Sequence, residues 1–267
     1  MKIDESVLDD ILRNHLTDVS SVHPTMMDWF FISSVGSMNY SLDDEHSDID
    51  SKLVLIPSMY YIIHSESMVS REQDVSRAFY SGICSIYDMR KYFSYLLKQN
   101  PNFIETLFAK GTLVNPKYKE EFEELRSIRE EIAYCDPART ISSLRGMMVR
   151  EFNKVMASNG KDSKAAYHYL RLCSMLSDFY RGLPYKEILS VGDGPFGELI
   201  LKIKQGKQDP KRVEELCQKF YTNEATEYKF FVTGNGPREW NKNIIYTITR
   251  MKIDAIQAKL IRKVNEL

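Results

Sequence analysis

The sequence predicts an α+β protein: a mixed sheet with flanking helices comes first, and an all-helical lobe follows. Three observations lead there. Short aromatic and β-branched runs stopped by Gly or Pro, at 29–35 and 48–56, fall in the first third. Beyond about residue 88, apolar residues recur at three- and four-residue spacing over long stretches. Pro101, Pro116, Pro137, Pro184, Pro195 and Pro210 stand at the starts of those stretches or at the breaks before them. Strands followed by a helical run suggest two lobes, divided here as 1–115 and 116–267.

Taken in order, Val7, Leu8, Ile11, Leu12 and Leu16 set a helix before the first strand. Residues 29–35 (WFFISSV) form a buried strand ended by Gly36. The next apolar run, 48–56, is stopped by Pro57, and 59–63 (MYYII) fits either a short helix or a strand. Residues 67–87 read as two strands around a polar connection. Helices are then expected at about 88–98, 101–109, 116–132, 137–158, 161–181, 194–206, 210–222 and 239–265. A short strand is expected at 228–232, before the turn at Gly234-Asn235-Gly236-Pro237. Trp240 and the stripe Ile244, Ile248, Met251 and Ala255, with Ile245 beside it, read as core.

At 267 residues with 43% hydrophobic content, the chain can bury a real core. A formal net charge of −1 supplies no overall field toward nucleic acid or membrane, so any polyanion contact needs a local patch. Cys84, Cys135, Cys173 and Cys217 lack metal-type spacing and suggest reduced thiols. With no apolar run of membrane-spanning length and no signal-peptide core, a cytoplasmic setting is expected.

The chemistry concentrates in Val35-Gly36-Ser37-Met38-Asn39-Tyr40 and Ser47-Asp48-Ile49-Asp50. Gly36 can take positive φ or admit a ligand close to the backbone, and Ser37 adds a hydroxyl. On a strand, Asp48 and Asp50 share a face while Ile49 takes the other. Two carboxylates so close repel unless a cation lies between them. Mg2+ (or Mn2+) suits such a pair, since it favours a few carboxylates plus substrate phosphates. An Asp-x-Asp pair alone carries little weight: roughly one arises by chance in a chain this long. Its placement just after the glycine turn is the informative part.

This pattern resembles the Gly-Ser…Ser-Asp-x-Asp signature of the nucleotidyltransferase superfamily that includes DNA polymerase β. It is more closely similar to bacterial and phage nucleotidyltransferases linked to RNA repair. Two further segments carry the resemblance: Tyr87 to Phe93 with Asn100-Pro101-Asn102-Phe103-Ile104-Glu105, and Lys164 to Leu172. The resemblance implies a nucleotidyltransferase-type sheet followed by a helical lobe. It also implies an NTP substrate and metal held by Asp48 and Asp50. Gly36, Ser37, Lys164, His168 and Arg171 would then bind nucleotide, and an RNA end, a protein or a small molecule would be the acceptor.

The chain departs from that pattern at two points. A third carboxylate is expected near Ile83, where no acid stands; Asp88, Asp74 and Glu72 are the remaining candidates, and Asp88 also suits a helix N-cap. The usual Tyr-Gly is Tyr40-Ser41. A nucleotide-binding module of the same fold with weak or no transfer is therefore the alternative to an enzyme.

Spacing alone places Lys164, His168 and Arg171 on one helical face, where a solvated stripe is the competing reading. For His168 a hydrogen-bonded packing role is the commoner one. Arg139, Ser143, Gly146, Arg150 and Asn153 line a side of the preceding helix that reads as solvated. Glu105, after Asn100-Pro101, reads as part of a helix start, with contact to the cleft as its alternative. His46 reads as a surface-loop residue, and His15, His23 and His64 as isolated ones.

Overall fold

A computed structural model describes residues 5–22, 28–45, 47–64, 71–74, 82–230 and 242–265. The chain divides into two compact units. One comprises Met1–Asn39, Asp43–Cys135 and Asn243–Leu267; the other comprises Tyr40–Leu42 and Asp136–Lys242.

The first unit is built on a mixed five-stranded sheet. Its elements in chain order are α1 (Glu5–Val22), β1 (Trp29–Val35), β2 (Asp50–Leu55), α2 (Met59–Ile63), β3 (Arg71–Asp74), β4 (Ile83–Asp88), α3 (Met89–Leu97), α4 (Pro101–Ile104), β5 (Thr112–Val114), α5 (Lys119–Ser127) and α6 (Arg129–Tyr134). The strand order is β3-β4-β2-β1-β5, with β2 and β4 parallel and the other pairs antiparallel. The ambiguous run at 59–63 is thus a short helix.

Strand alternation sorts the side chains onto two faces. Ile32, Leu53, Leu55, Cys84 and Ile86 meet Leu12 and Val19 of α1. The opposite face carries aromatic packing: Phe31 lies edge-on to Tyr92 of α3, with ring centroids 5.3 Å apart, and Tyr87 to Phe103 of α4 at 4.8 Å. The caps follow the local sequence. Asp88 accepts from Arg90 N–H to start α3, and Asn100 accepts from Asn102 N–H ahead of Pro101 to start α4.

The last helix, α12 (Lys242–Asn265), also belongs to this unit. Lys259 pairs with Glu124 of α5 at 2.6 Å and Lys263 with Glu121 at 2.7 Å. By compactness, 116–135 and 243–265 group with the sheet-bearing unit. The expected core stripe is corrected: Ile244, Ile248 and Met251 are 55%, 48% and 66% exposed, and Ile245 and Ala255 are exposed as well. Thr249, Ile253, Ile256 and Leu260 are buried instead. Both sets repeat with the same helical spacing, rotated by roughly 140° at 3.6 residues per turn. Trp240 lies outside the described residues.

The second unit is helical. Its elements are α7 (Pro137–Ala157), α8 (Ser163–Tyr180), α9 (Tyr185–Ile188), α10 (Pro195–Lys204) and α11 (Pro210–Phe230). Asp136 and Asp162 cap α7 and α8 through Arg139 N–H and Ala165 N–H. Arg145 binds buried Glu224 at 2.8 Å and lies 3.6 Å from the Tyr228 ring centroid. That packing keeps α11 helical where a strand was expected at 228–232, the last two of which lie outside the described residues.

Candidate functional site

The site lies in the first unit, where β1 ends and β2 begins. Gly36 follows β1 with φ +85°, a conformation L side chains rarely adopt. A Cβ built there would stand 3.8 Å from Asp50 Oδ2, so the carboxylate of Asp50 faces the open side of the glycine bend. Ser37–Tyr40 then forms one 3-10 turn. Asn39 fastens it: its Nδ2 donates to Ser34 O at 2.9 Å, and its Oδ1 accepts from Lys110 N–H at 3.3 Å.

The second strand begins at Asp50, not at Asp48 as expected, but the alternation around Ile49 survives. Ile49 is buried with Leu8, Ile11 and Met38, whereas Asp48 is exposed and Asp50 half-buried. Asp50 Oδ1 accepts from Ile83 N–H at 2.9 Å, which leaves Oδ2 toward the bend. Before Asp48, Ser47 donates to Asp44 Oδ1 at 2.9 Å and closes the loop.

The third-acid candidates separate clearly. Ile83 stands beside Asp50 at the start of β4, and its side chain is 43% exposed. Asp88 is buried at the other end of that strand, capping α3 and ion-paired with Arg90 at 2.6 Å. The five strand rises from residue 83 to 88, about 16 Å, keep it from the acid pair. On β3 the register pairs Asp74 with Ile83 and Glu72 with Ser85.

Two polar neighbours, His15 and Lys52, were not singled out by the sequence, and Glu105 was read first as part of a helix start. His15 was read as isolated, yet its Nδ1 lies 3.0 Å from Ser51 Oγ on the opposite sheet face. Burial holds its pKa below the ordinary value, against the opposing pull of Asp18 and Asp50, so it is neutral at physiological pH. Its place in the stripe Leu8, Ile11, Leu12, His15, Val19 was the available signal. Lys52 and Glu105, both buried, form an ion pair at 3.5 Å. Lys52 also lies in a polar row that the register carries across the sheet, Thr112–Ser33–Lys52–Ser85–Glu72.

The expected nucleotide contacts on α8 belong to the second unit. Lys164 is exposed. Burial, and then the charges of Arg171, Lys164 and Lys154, push His168 down to about 3 against the pull of Glu151, so its imidazole is neutral near pH 7. Arg171 is buried, with its guanidinium 4.0 Å from the Tyr40 ring centroid. On α7, Arg139, Gly146, Arg150 and Asn153 are exposed, in keeping with a solvated face. His23 and His46 lie outside the described residues.

Among the described residues no cluster of three or more His, Cys, Asp or Glu could hold a metal alone. The Asp50 carboxylate beside the open bend, with Asp48 two residues upstream, would fit Mg2+, which completes its shell with phosphate and water. No helix among the described residues is long and apolar enough to cross a membrane.

A family model for the RNA repair pathway DNA polymerase beta family matches residues 11–178. No curated protein matches the chain. Among solved structures, a nucleotidyltransferase-like protein from Exiguobacterium sibiricum is similar at 13% identity and TM-score 0.37, over 92% of this chain and 90% of that one.

Proposed function

The chain belongs to the RNA repair pathway DNA polymerase beta family, and from that premise we propose that it is a divalent-metal-dependent nucleotidyltransferase. It would move a nucleoside monophosphate from an NTP to a hydroxyl and release pyrophosphate. The observation that carries this reading is Asp50 Oδ2 facing the side-chain-free bend at Gly36, with Asp48 two residues upstream. Bound Mg2+ would supply charge neutralisation for the phosphates. Asp48 and Asp50 would hold it, Asp50 being oriented by the Ile83 N–H. Gly36 lets a phosphate approach the backbone, and the Ser37 hydroxyl donates to it.

In the transfer, the acceptor oxygen bonds to the α-phosphorus while the bond to the β-phosphate bridge breaks. The electron pair leaves with pyrophosphate, and the hydroxyl proton passes to solvent or to a base. We further propose Lys164, His168 and Arg171 as nucleotide contacts, His168 as a neutral hydrogen-bonding group. The acceptor is an RNA end, a protein side chain or a small molecule, and four buried free thiols fit a cytoplasmic setting. Incubation with Mg2+ and each labelled NTP, across RNA and protein acceptors, should give labelled product that Asp50→Asn abolishes. No product with any acceptor would count against transfer.

Ile83, in the place of a third carboxylate, favours a second reading: a nucleotide-binding module without turnover. It is distinguished by Mg–NTP-dependent thermal stabilisation, lost in Asp48→Ala, with no product formed.

A further inference from the structure

Helix α12 carries two apolar stripes, and the fold buries one of them. Thr249, Ile253, Ile256 and Leu260 are buried, while Ile244, Ile248 and Met251 stand exposed on the far side. Large apolar residues grouped on one exposed face, and not scattered singly, mark an interaction surface. Lys252, Lys259 and Lys263 reach Glu131, Glu124 and Glu121 of α6 and α5 and tie the helix to its own unit. The outer stripe is therefore presented on a fixed element.

The sequence of that stripe indicates what covers it. Ile244, Ile248, Met251, Ala255, Ala258 and Arg262 alternate four- and three-residue steps, the spacing of a coiled-coil seam. All six are exposed, and together they run for about 27 Å of helix. Bulk is graded along the seam: two isoleucines and a methionine come first, then two alanines and the arginine. Two copies laid in the same direction would crowd isoleucine on isoleucine at one end. At the other end they would leave alanine facing alanine, and Arg262 facing Arg262.

Run in opposite directions, the copies set large against small in each layer. Met251 then meets Ala255, Ile248 meets Ala258, and Ile244 meets the aliphatic stem of Arg262. The same contacts recur on both sides of a two-fold axis, so the stripe is its own complement. The axis also brings like charges near one another, Asp254 to Asp254 and Lys252 to Lys252. Each is already paired within its protomer, Asp254 with Arg250 at 3.6 Å and Lys252 with Glu131 at 2.5 Å.

We propose that a second copy of this chain docks on the outer face of α12, antiparallel, to form a two-fold dimer. The proposal stands apart from the metal–nucleotide reading, since neither acid of that site takes part in it.

Sedimentation equilibrium of the full chain over a wide concentration range tests the docking. Wild type should show a concentration-dependent dimer, and I248E/M251E should be a monomer throughout with an unchanged far-ultraviolet circular dichroism spectrum. Both positions are exposed, so the fold should accept the charges. Disulfide trapping reads the direction: M251C mixed with A255C should cross-link on oxidation, whereas M251C alone should not. Cys84, Cys135, Cys173 and Cys217 are buried and should stay silent. A wild type that is monomeric at every concentration, as when another segment or a different protein covers the stripe, would overturn the proposal. So would a dimer that survives I248E/M251E, or trapping of M251C with itself in place of the mixed pair. Should I248E/M251E fail to fold, the trapping result decides.

Discussion

The backbone N–H of Ile83 donates to Asp50 Oδ1 at 2.9 Å, so β4 orients the acid while offering it no carboxylate of its own. Ile83→Asp should therefore add a third acid beside the pair. Because Ile83 is 43% exposed, the fold should tolerate the change. Without metal, the added like charge should lower the melting temperature by a few degrees, and Mg2+ should restore it. Transfer should rise about a hundredfold, the lower end for a well-placed base. Calorimetry with and without Mg2+, together with single-turnover assays, checks both halves.

Gly36→Ala places a side chain in a positive-φ conformation and toward Asp50 Oδ2. The strain should cost about 1–2 kcal/mol. Nucleotide affinity should fall more than stability accounts for, since the bend loses its open side. Urea unfolding and titration with a non-hydrolysable NTP separate the two effects.

His168 is half-buried near the charges of Arg171 and Lys164, and burial and those charges hold its pKa down to about 3. The folded protein therefore stays unprotonated there while the unfolded chain takes up a proton below about pH 6.5. Stability should fall as pH drops through that window, and His168→Gln should flatten the fall. Nuclear magnetic resonance of the imidazole should show no titration between pH 5 and 8.

Asp28, ahead of β1, accepts hydrogen bonds from Lys117, Tyr118 and Asn115. Burial raises its pKa, but these bonds outweigh it and hold the carboxyl below its ordinary value. Its contribution is present above the usual carboxylate pKa and is lost as pH falls through the lowered one. Asp28→Asn should therefore lower the melting temperature at pH 7, with the difference shrinking toward pH 3.

What the sequence disclosed was local. The turn at Gly36, the alternation around Ile49 and the caps at Asp88 and Asn100 each depend on a few neighbouring residues. The Asp88 cap also removes that residue from the list of third acids. What stayed hidden depended on distant partners. Lys52 and Glu105 meet only once β2 and the turn after α4 are packed together. The buried face of α12 could not be chosen from spacing, because 244/248/251/255 and 249/253/256/260 repeat identically. Burial of Ile253, Ile256 and Leu260 selects it, and Lys252, Lys259 and Lys263 reach Glu131, Glu124 and Glu121 around that face. Tyr228 looked like part of a strand because aromatic residues favour strands, and the Arg145 contact overrides that preference.

The most direct measurement is the anomalous difference density of crystals grown with Mn2+ and a non-hydrolysable NTP. An Mn2+ peak shared by Asp48 and Asp50, with the triphosphate against the backbone of Gly36 and Ser37, is the predicted result. Nucleotide bound elsewhere, or Mn2+ missing from both carboxylates at saturating concentration, would contradict the account.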